Sequence, residues 1–201
     1  MNSLSTFNKF VITALFILSG FILSGSFAGA SMNLPEDQYT RRHFYGGYIG
    51  VDMGLINQFE GAPFFGYMLT PGWHVGAGGK YQYHYDKRLG NVFRAHIYGP
   101  FAFTDLIVVG DLNELFSFRL IEASFFLHAE MNLLSLPSKH FDFDNQHTGK
   151  TRFLQPTPLV GAGLRRHAGG DRSIQILLMM DVSGDSRIIY SNPVLRFGFT
   201  F

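Results

Sequence analysis

Asn192-Pro193-Val194-Leu195-Arg196-Phe197-Gly198-Phe199-Thr200-Phe201 is the stretch on which the reading of this chain turns. Strand side chains alternate with period two. Leu195, Phe197, Phe199 and Phe201 therefore share one face, and Arg196, Gly198 and Thr200 share the other. One face is apolar and aromatic, and the other is polar or tiny. Such a strand sits poorly in a soluble core. It suits the closing strand of an outer-membrane barrel, whose lipid-facing side is apolar and carries aromatic girdles. Leu195, Phe197, Phe199 and Phe201 are accordingly expected to form the strand through which the barrel is assembled, with the barrel-assembly machinery as a partner. The competing reading is an edge strand of a soluble sandwich.

The opposite end of the chain points to export. Lys9 precedes a mostly apolar run over residues 10–27, and Ala28-Gly29-Ala30 supplies a small-x-small cleavage pattern. Residues 1–30 read as a signal peptide, leaving residues 31–201 as one barrel domain. A membrane-spanning helix is the alternative, but Ser19, Gly20, Ser24, Gly25 and Ser26 break the run below the usual span. With 0 Cys there is no site for lipid attachment, no disulfide framework and no thiolate chemistry. Loss of Lys9 from 16 Lys+Arg balances the 15 Asp+Glu, so the mature chain is formally neutral and no nucleic-acid partner is expected. Gly at 23 and aromatic residues at 16% suit closely packed strands with aromatic faces.

Working back from the closing strand, seven further alternating segments are predicted. The third is the clearest: Trp73, Val75, Ala77, Gly79, Tyr81, Tyr83 and Tyr85 alternate with His74, Gly76, Gly78, Lys80, Gln82 and His84. Period two over that length excludes a helix. The first, residues 44–53, sets Tyr45, Ile49, Val51 and Met53 against Tyr48 and Asp52; the second, residues 58–69, sets Phe59, Phe65, Tyr67 and Leu69 against Gln58, Glu60 and Phe64. In the fourth, residues 92–103, Phe93, Ala95, Ile97, Phe101 and Phe103 are assigned outward, and Arg94, His96 and Tyr98 inward. The fifth, residues 120–133, turns Glu122, Ser124, Phe126, His128, Glu130 and Asn132 inward. The sixth and seventh span residues 152–165 and 173–182, the latter with Asp181 inward.

A soluble up-and-down barrel keeps its apolar face inside. Here the apolar face carries large aromatics near strand ends, and the other face mixes acids, bases, His and Gly, as suits a narrow polar lumen. The predicted fold is therefore an all-β, up-and-down antiparallel transmembrane barrel. Its lumen would be lined by Asp52, Glu60, Lys80, His84, Arg94, His96, Glu122, His128, Glu130, Asp181 and Arg196, with Arg94 and Glu130 expected to pair. Short turns near residues 70–72 and 166–172 would be periplasmic, and the links at 54–57, 86–91, 135–151 and 183–191 external. The link 104–119 breaks that rule. It reads either as a short helix under an eight-stranded barrel or as a hairpin that makes ten strands.

Several stretches resemble those of the small outer-membrane β-barrel proteins of Bacteroidetes-type bacteria, most of unknown function. They include Gly46-Gly47-Tyr48-Ile49-Gly50-Val51, Pro63-Phe64-Phe65-Gly66-Tyr67, Tyr98-Gly99-Pro100, His128-Ala129-Glu130, Leu159-Val160-Gly161-Ala162-Gly163 and Arg196-Phe197-Gly198-Phe199-Thr200-Phe201. The resemblance implies an outer-membrane location in a Gram-negative cell. The sequence departs from that family after Phe103, where an arginine is usual and the next strand follows directly, whereas here Thr104 opens an inserted segment; Asn132 replaces a usual second glutamate.

Candidate chemistry is thin. His74, His84, His96 and His128 fall on the predicted inner face, but spread over three strands and at different heights, which favours hydrogen-bonded lumen residues over metal ligands. Ser124 and His128, four apart on one strand, stand about 13 Å from each other by strand rise, too far for a nucleophile and its base. His140, Asp142, Asp144 and His147 in the longest loop read either as a divalent-cation site or as a plain surface loop. No catalytic, metal or cofactor residues are assigned. The favoured function is a non-enzymatic membrane protein, structural or a scaffold whose external loops meet a protein partner. The alternative is an outer-membrane lipid-modifying enzyme of deacylase or acyltransferase type. A pore ranks third, since eight strands leave room for side chains alone.

Overall fold

A computed structural model describes residues 42–53, 57–86, 93–115, 123–141, 149–169, 171–183, 189–190 and 192–201. The expected signal peptide lies outside the described residues, as do Glu122, Asp142, Asp144 and His147. Eight strands form a closed barrel in which each pairs antiparallel with its sequence neighbours. They are β1 (His43–Met53), β2 (Asn57–Thr70), β3 (Trp73–Asp86), β4 (Phe93–Val109), β5 (Ser124–Pro137), β6 (Arg152–His167), β7 (Ser173–Asp181) and β8 (Val194–Thr200). Closure comes from β1 pairing with β8, Tyr48 opposite Gly198 and Ile49 opposite Phe197. Among the described residues no helix is long and apolar enough to cross a membrane.

The barrel has a near end, marked by the tight β2–β3 turn at Pro71 and Gly72, and a far end at which the links over 54–56, 87–92, 138–151 and 182–193 lie. Neither expectation for residues 104–119 holds for their first half. Thr104, Asp105 and Leu106 continue β4, opposite Val75, His74 and Trp73 on β3 and Ala129, His128 and Leu127 on β5. Among the described residues between β4 and β5, a four-residue helical turn, α1 (Leu112–Leu115), follows. Strand β4 is thus 17 residues long, and the barrel needs no added hairpin.

A second correction concerns which way β4 faces. Ala95, Ile97, Phe101 and Phe103 are buried inside, and Arg94, His96 and Tyr98 lie on the outer face. The cause sits on the neighbouring strand. Gly76 and Gly78 present no side chain to the interior, and the rings of Phe103 and Phe101 fill the space they leave. A Cβ at Gly76 would meet the Phe103 ring at 2.5 Å, and one at Gly78 the Phe101 ring at 2.8 Å. Interiors tolerate few voids, so small residues on one strand call for large ones on the next. The rings continue into an aromatic layer at the near end, with Tyr48 and Phe64 centroids 4.7 Å apart and Phe64 and Phe103 5.0 Å apart, edge to face.

The remaining strands alternate in the predicted phase. Arg196, Gly198 and Thr200 point inward along β8, and Leu195, Phe197 and Phe199 outward. Phe201 exchanges backbone hydrogen bonds with Tyr45, and their rings stack at 5.7 Å.

Candidate functional site: a buried charge network

Arg196 is the hub. The alternation of β8 turns it inward at mid-height, where it is fully buried. Its Nη1 donates to both carboxylate oxygens of Glu130 on β5, each at 3.0 Å, and Nη2 donates to Glu60 Oε2 on β2 at 2.9 Å. The Nε stands 2.5 Å from Glu60 Oε1. A planar guanidinium with several fixed donors can serve two carboxylates at once in this way. Lys80 on β3 completes the group, its Nζ donating to Glu130 at 2.5 Å and lying 3.9 Å from Glu60. Two carboxylates thus face two cations, so the cluster is neutral. That balance is what lets four ionised groups share a water-poor interior.

Two neutral side chains close the network on its far side. Gln82 donates to Glu60 Oε2 at 2.7 Å and also to the hydroxyl of Tyr190. Tyr190 accepts from Lys80 at 3.4 Å and from Arg196 at 3.3 Å. This tyrosine belongs to no strand. Ile189 and Tyr190, expected in an external loop, instead fold back and are buried inside the barrel. A second helical turn, α2 (Ser138–Phe141), adds the buried ring of Phe141, edge-on to His84 at 6.3 Å.

Nearer the β2–β3 turn lies a second cluster. Asp105 is bonded to Nδ1 of His128 at 2.6 Å and accepts from Arg165 Nη2 at 2.5 Å. Arg165 also reaches Nδ1 of His74 at 2.8 Å and donates from Nη2 to Gln175 Oε1 at 3.0 Å. The imidazole of His128 joins the two clusters, its Nε2 standing 3.7 Å from Glu130 Oε2.

Of the residues expected to line the lumen, Glu60, Lys80, His84, His128, Glu130 and Arg196 are buried inside, and Asp181 is partly buried at the far end. The Asp52 side chain and Glu122 lie outside the described residues. Arg94 and His96 are on the outer surface, a consequence of the β4 phase, so the expected Arg94–Glu130 pair does not form and Glu130 is taken by Arg196 and Lys80 instead. Asp105, Arg165 and Tyr190 were not foreseen; Gln82 and Gln175 face inward as the alternation of the third and seventh segments requires, but their partners were not foreseen. For Asp105 the signal was present: once Phe101 and Phe103 face inward, period two carries Asp105 inward as well.

The arrangement offers little to catalysis. The Asp105–His128 pair resembles the orienting half of a triad, yet both side chains have no exposed surface. The hydroxyl of Ser124 donates to the Arg165 carbonyl at 3.3 Å rather than to an imidazole. Among the described residues no three His, Asp or Glu side chains converge as metal ligands would. Compared with known proteins, the chain matches no protein-family model and no curated sequence.

Proposed function

We propose that this chain is a non-enzymatic outer-membrane β-barrel protein, exported by residues 1–30, that serves as a structural element or scaffold offering its far-end loops to a partner. The observation that carries this reading is the inversion of polarity across the barrel wall. Outside, Tyr45 is 62% exposed, Ile174 58%, Phe65 57% and Leu178 54%, whereas four ionised side chains of the central cluster are buried within. A soluble barrel has the reverse arrangement. Strands of 9 to 17 residues, except the seven of β8, meet or exceed the length a tilted strand needs to cross a bilayer. The likeness to small outer-membrane barrels of Bacteroidetes-type bacteria, in stretches on nearly every strand, supports the same placement.

An interior filled by Arg196, Tyr190, Gln82 and the near-end rings argues against a pore. Burial of the Asp105–His128 pair argues against the alternative, a deacylase or acyltransferase acting on outer-leaflet lipid. The test is fractionation followed by gel migration with and without heating. The protein is expected in the outer-membrane fraction, extracted only with detergent and shifting in mobility when boiled. Recovery as a soluble periplasmic protein would refute the proposal. Unchanged lipid acylation in a deletion strain is expected, and an altered acylation pattern would favour the enzyme.

A further inference from the structure

The outer face of the strands is apolar, with a localised exception. Among the described strand side chains no Asp or Glu points outward, and the outward arginines are Arg94, Arg152 and Arg166. Arg166 stands at the near end. Arg94 and Arg152 stand together at the far end with His96, set among Tyr81, Tyr83, Tyr85 and Tyr98. Arg94 opposes Tyr85 across the β3–β4 ladder and His96 opposes Tyr83. The Arg94 guanidinium lies 5.7 Å from the Tyr85 ring centre, and the Arg152 guanidinium 4.5 Å from that of Tyr98. His96 Nδ1 is hydrogen-bonded to the Tyr81 hydroxyl at 2.7 Å.

Arg152 is held in place rather than waving in solvent. From β6 it reaches over β5, donating from Nε to Ser135 Oγ at 2.9 Å and from Nη2 to the carbonyls of Ser135 at 2.6 Å and His96 at 2.8 Å. Its Nη1 carries no hydrogen bond among the described residues. Arg94 and His96 are two positions apart on β4, about 7 Å along the strand. The result is a cationic patch, braced by tyrosine rings and unopposed by any outward strand acid among the described residues, at the height where a bilayer's headgroups would meet the barrel.

Resting on the membrane placement proposed above, we infer that Arg94, His96 and Arg152 form a binding site for an anionic, phosphate-bearing lipid headgroup of the outer leaflet. The tyrosine rings would lie along the lipid's glycerol or sugar region, as interfacial aromatics do. One guanidinium held by three hydrogen bonds and a second lying over a tyrosine ring suit a phosphate, for which arginine supplies directed donors as well as charge. The site is a lipid site rather than one for a soluble phosphate, because the residues flanking it on the outer wall, Leu133 and Leu154, are exposed and apolar.

The test is native mass spectrometry of the detergent-solubilised full-length protein, titrated with phosphatidylglycerol or with phosphatidylcholine. Wild-type protein is expected to prefer phosphatidylglycerol. Each basic residue near an anionic headgroup is worth roughly fivefold in affinity, so Arg94→Gln should weaken binding about fivefold and Arg94→Gln with Arg152→Gln about thirtyfold. Arg166→Gln, at the other end, should change nothing. Arg94→Gln on its own keeps the test sound if loss of the Arg152 bridge disturbs folding, and each variant is checked for its heat-modifiable band. Equal binding of both lipids by a heat-modifiable protein would overturn the lipid site and leave the membrane placement standing. An equal loss in Arg166→Gln would also overturn it. Displacement of phosphatidylglycerol by millimolar inorganic phosphate would replace it with a soluble-anion site. A protein that needs no detergent would overturn site and placement together.

Discussion

Lys80 and Glu130 should be worth far less together than apart. Substituting Lys80 with Met leaves Glu60 and Glu130 facing Arg196 alone, a buried group of net charge −1. Replacing Glu130 with Gln leaves Lys80 and Arg196 facing Glu60 alone, a net charge of +1. Breaking a buried ion pair from one side costs about 3 to 5 kcal/mol, because an uncompensated charge stays behind. The lower figure applies to each substitution here, since Arg196 and Tyr190 remain as hydrogen-bonding partners for what is left. Independent effects would add to about 6 kcal/mol. The double variant, however, restores neutrality and keeps the Arg196–Glu60 contacts at 2.9 and 2.5 Å. Its loss should be about 3 kcal/mol, a coupling of about 3 kcal/mol, at the upper end for contacting residues. The assay is equilibrium unfolding by guanidinium in detergent micelles, followed by fluorescence of the sole tryptophan, Trp73, whose indole N–H is bonded to Thr104 at 2.8 Å. Additive losses, or a neutral Lys80→Met, would refute the charge balance as the organising feature of the interior.

Three further outcomes are expected. Gly78→Ala should destabilise by about 1 to 3 kcal/mol through overpacking against Phe101 and the Pro63 carbonyl, whereas Gly79→Ala, with nothing within 4 Å of its added Cβ, should be neutral or stabilising by up to about 1 kcal/mol; similar unfolding midpoints for the two would count against the packing account. Tyr190→Phe removes the hydroxyl shared by Gln82, Lys80 and Arg196 and should cost about 1 to 3 kcal/mol in the same assay, and an unchanged midpoint would mean that the loop is not held by that hydroxyl. Phe199→Ser with Phe201→Ser strips outward rings from the closing strand, including the Tyr45 stack, worth about 1 kcal/mol for each aromatic pair; the heat-modifiable band should fall sharply in membrane fractions, and normal levels would remove this strand from its assembly role.

Most of the wall was legible because period-two alternation survives any packing detail. Arg196, Gly198 and Thr200 face inward for the same reason in sequence and in structure, and so do Glu60, Lys80 and Glu130. Where the reading failed, on β4, alternation was equally clear but its sign was not. Phe101 and Phe103 are as apolar as a lipid-facing pair. What turns them inward is the vacancy left by Gly76 and Gly78 on β3, a property of two strands side by side rather than of either alone. That one inversion displaced Arg94 and His96 from the interior and hid Asp105. It also pointed Glu130 to the wrong arginine. Tyr190 was beyond alternation altogether, since nothing periodic marks a loop residue that folds back to meet a charge cluster.

The Arg196 hub also bears on the mechanics of the wall. A hydrogen-bonded sheet resists stretching along its strands but flexes readily between them, so a hoop of eight strands is prone to flatten into an oval under sideways load. Arg196 ties β8 to β5 and β2, and Lys80 adds β3. These struts cross the hollow rather than run around it, so ovalisation in any direction must stretch at least one of them. The same salt contacts that neutralise the interior therefore stiffen the hoop's cross-section, and severing them should soften the wall to lateral pressure before it changes the strand pairing.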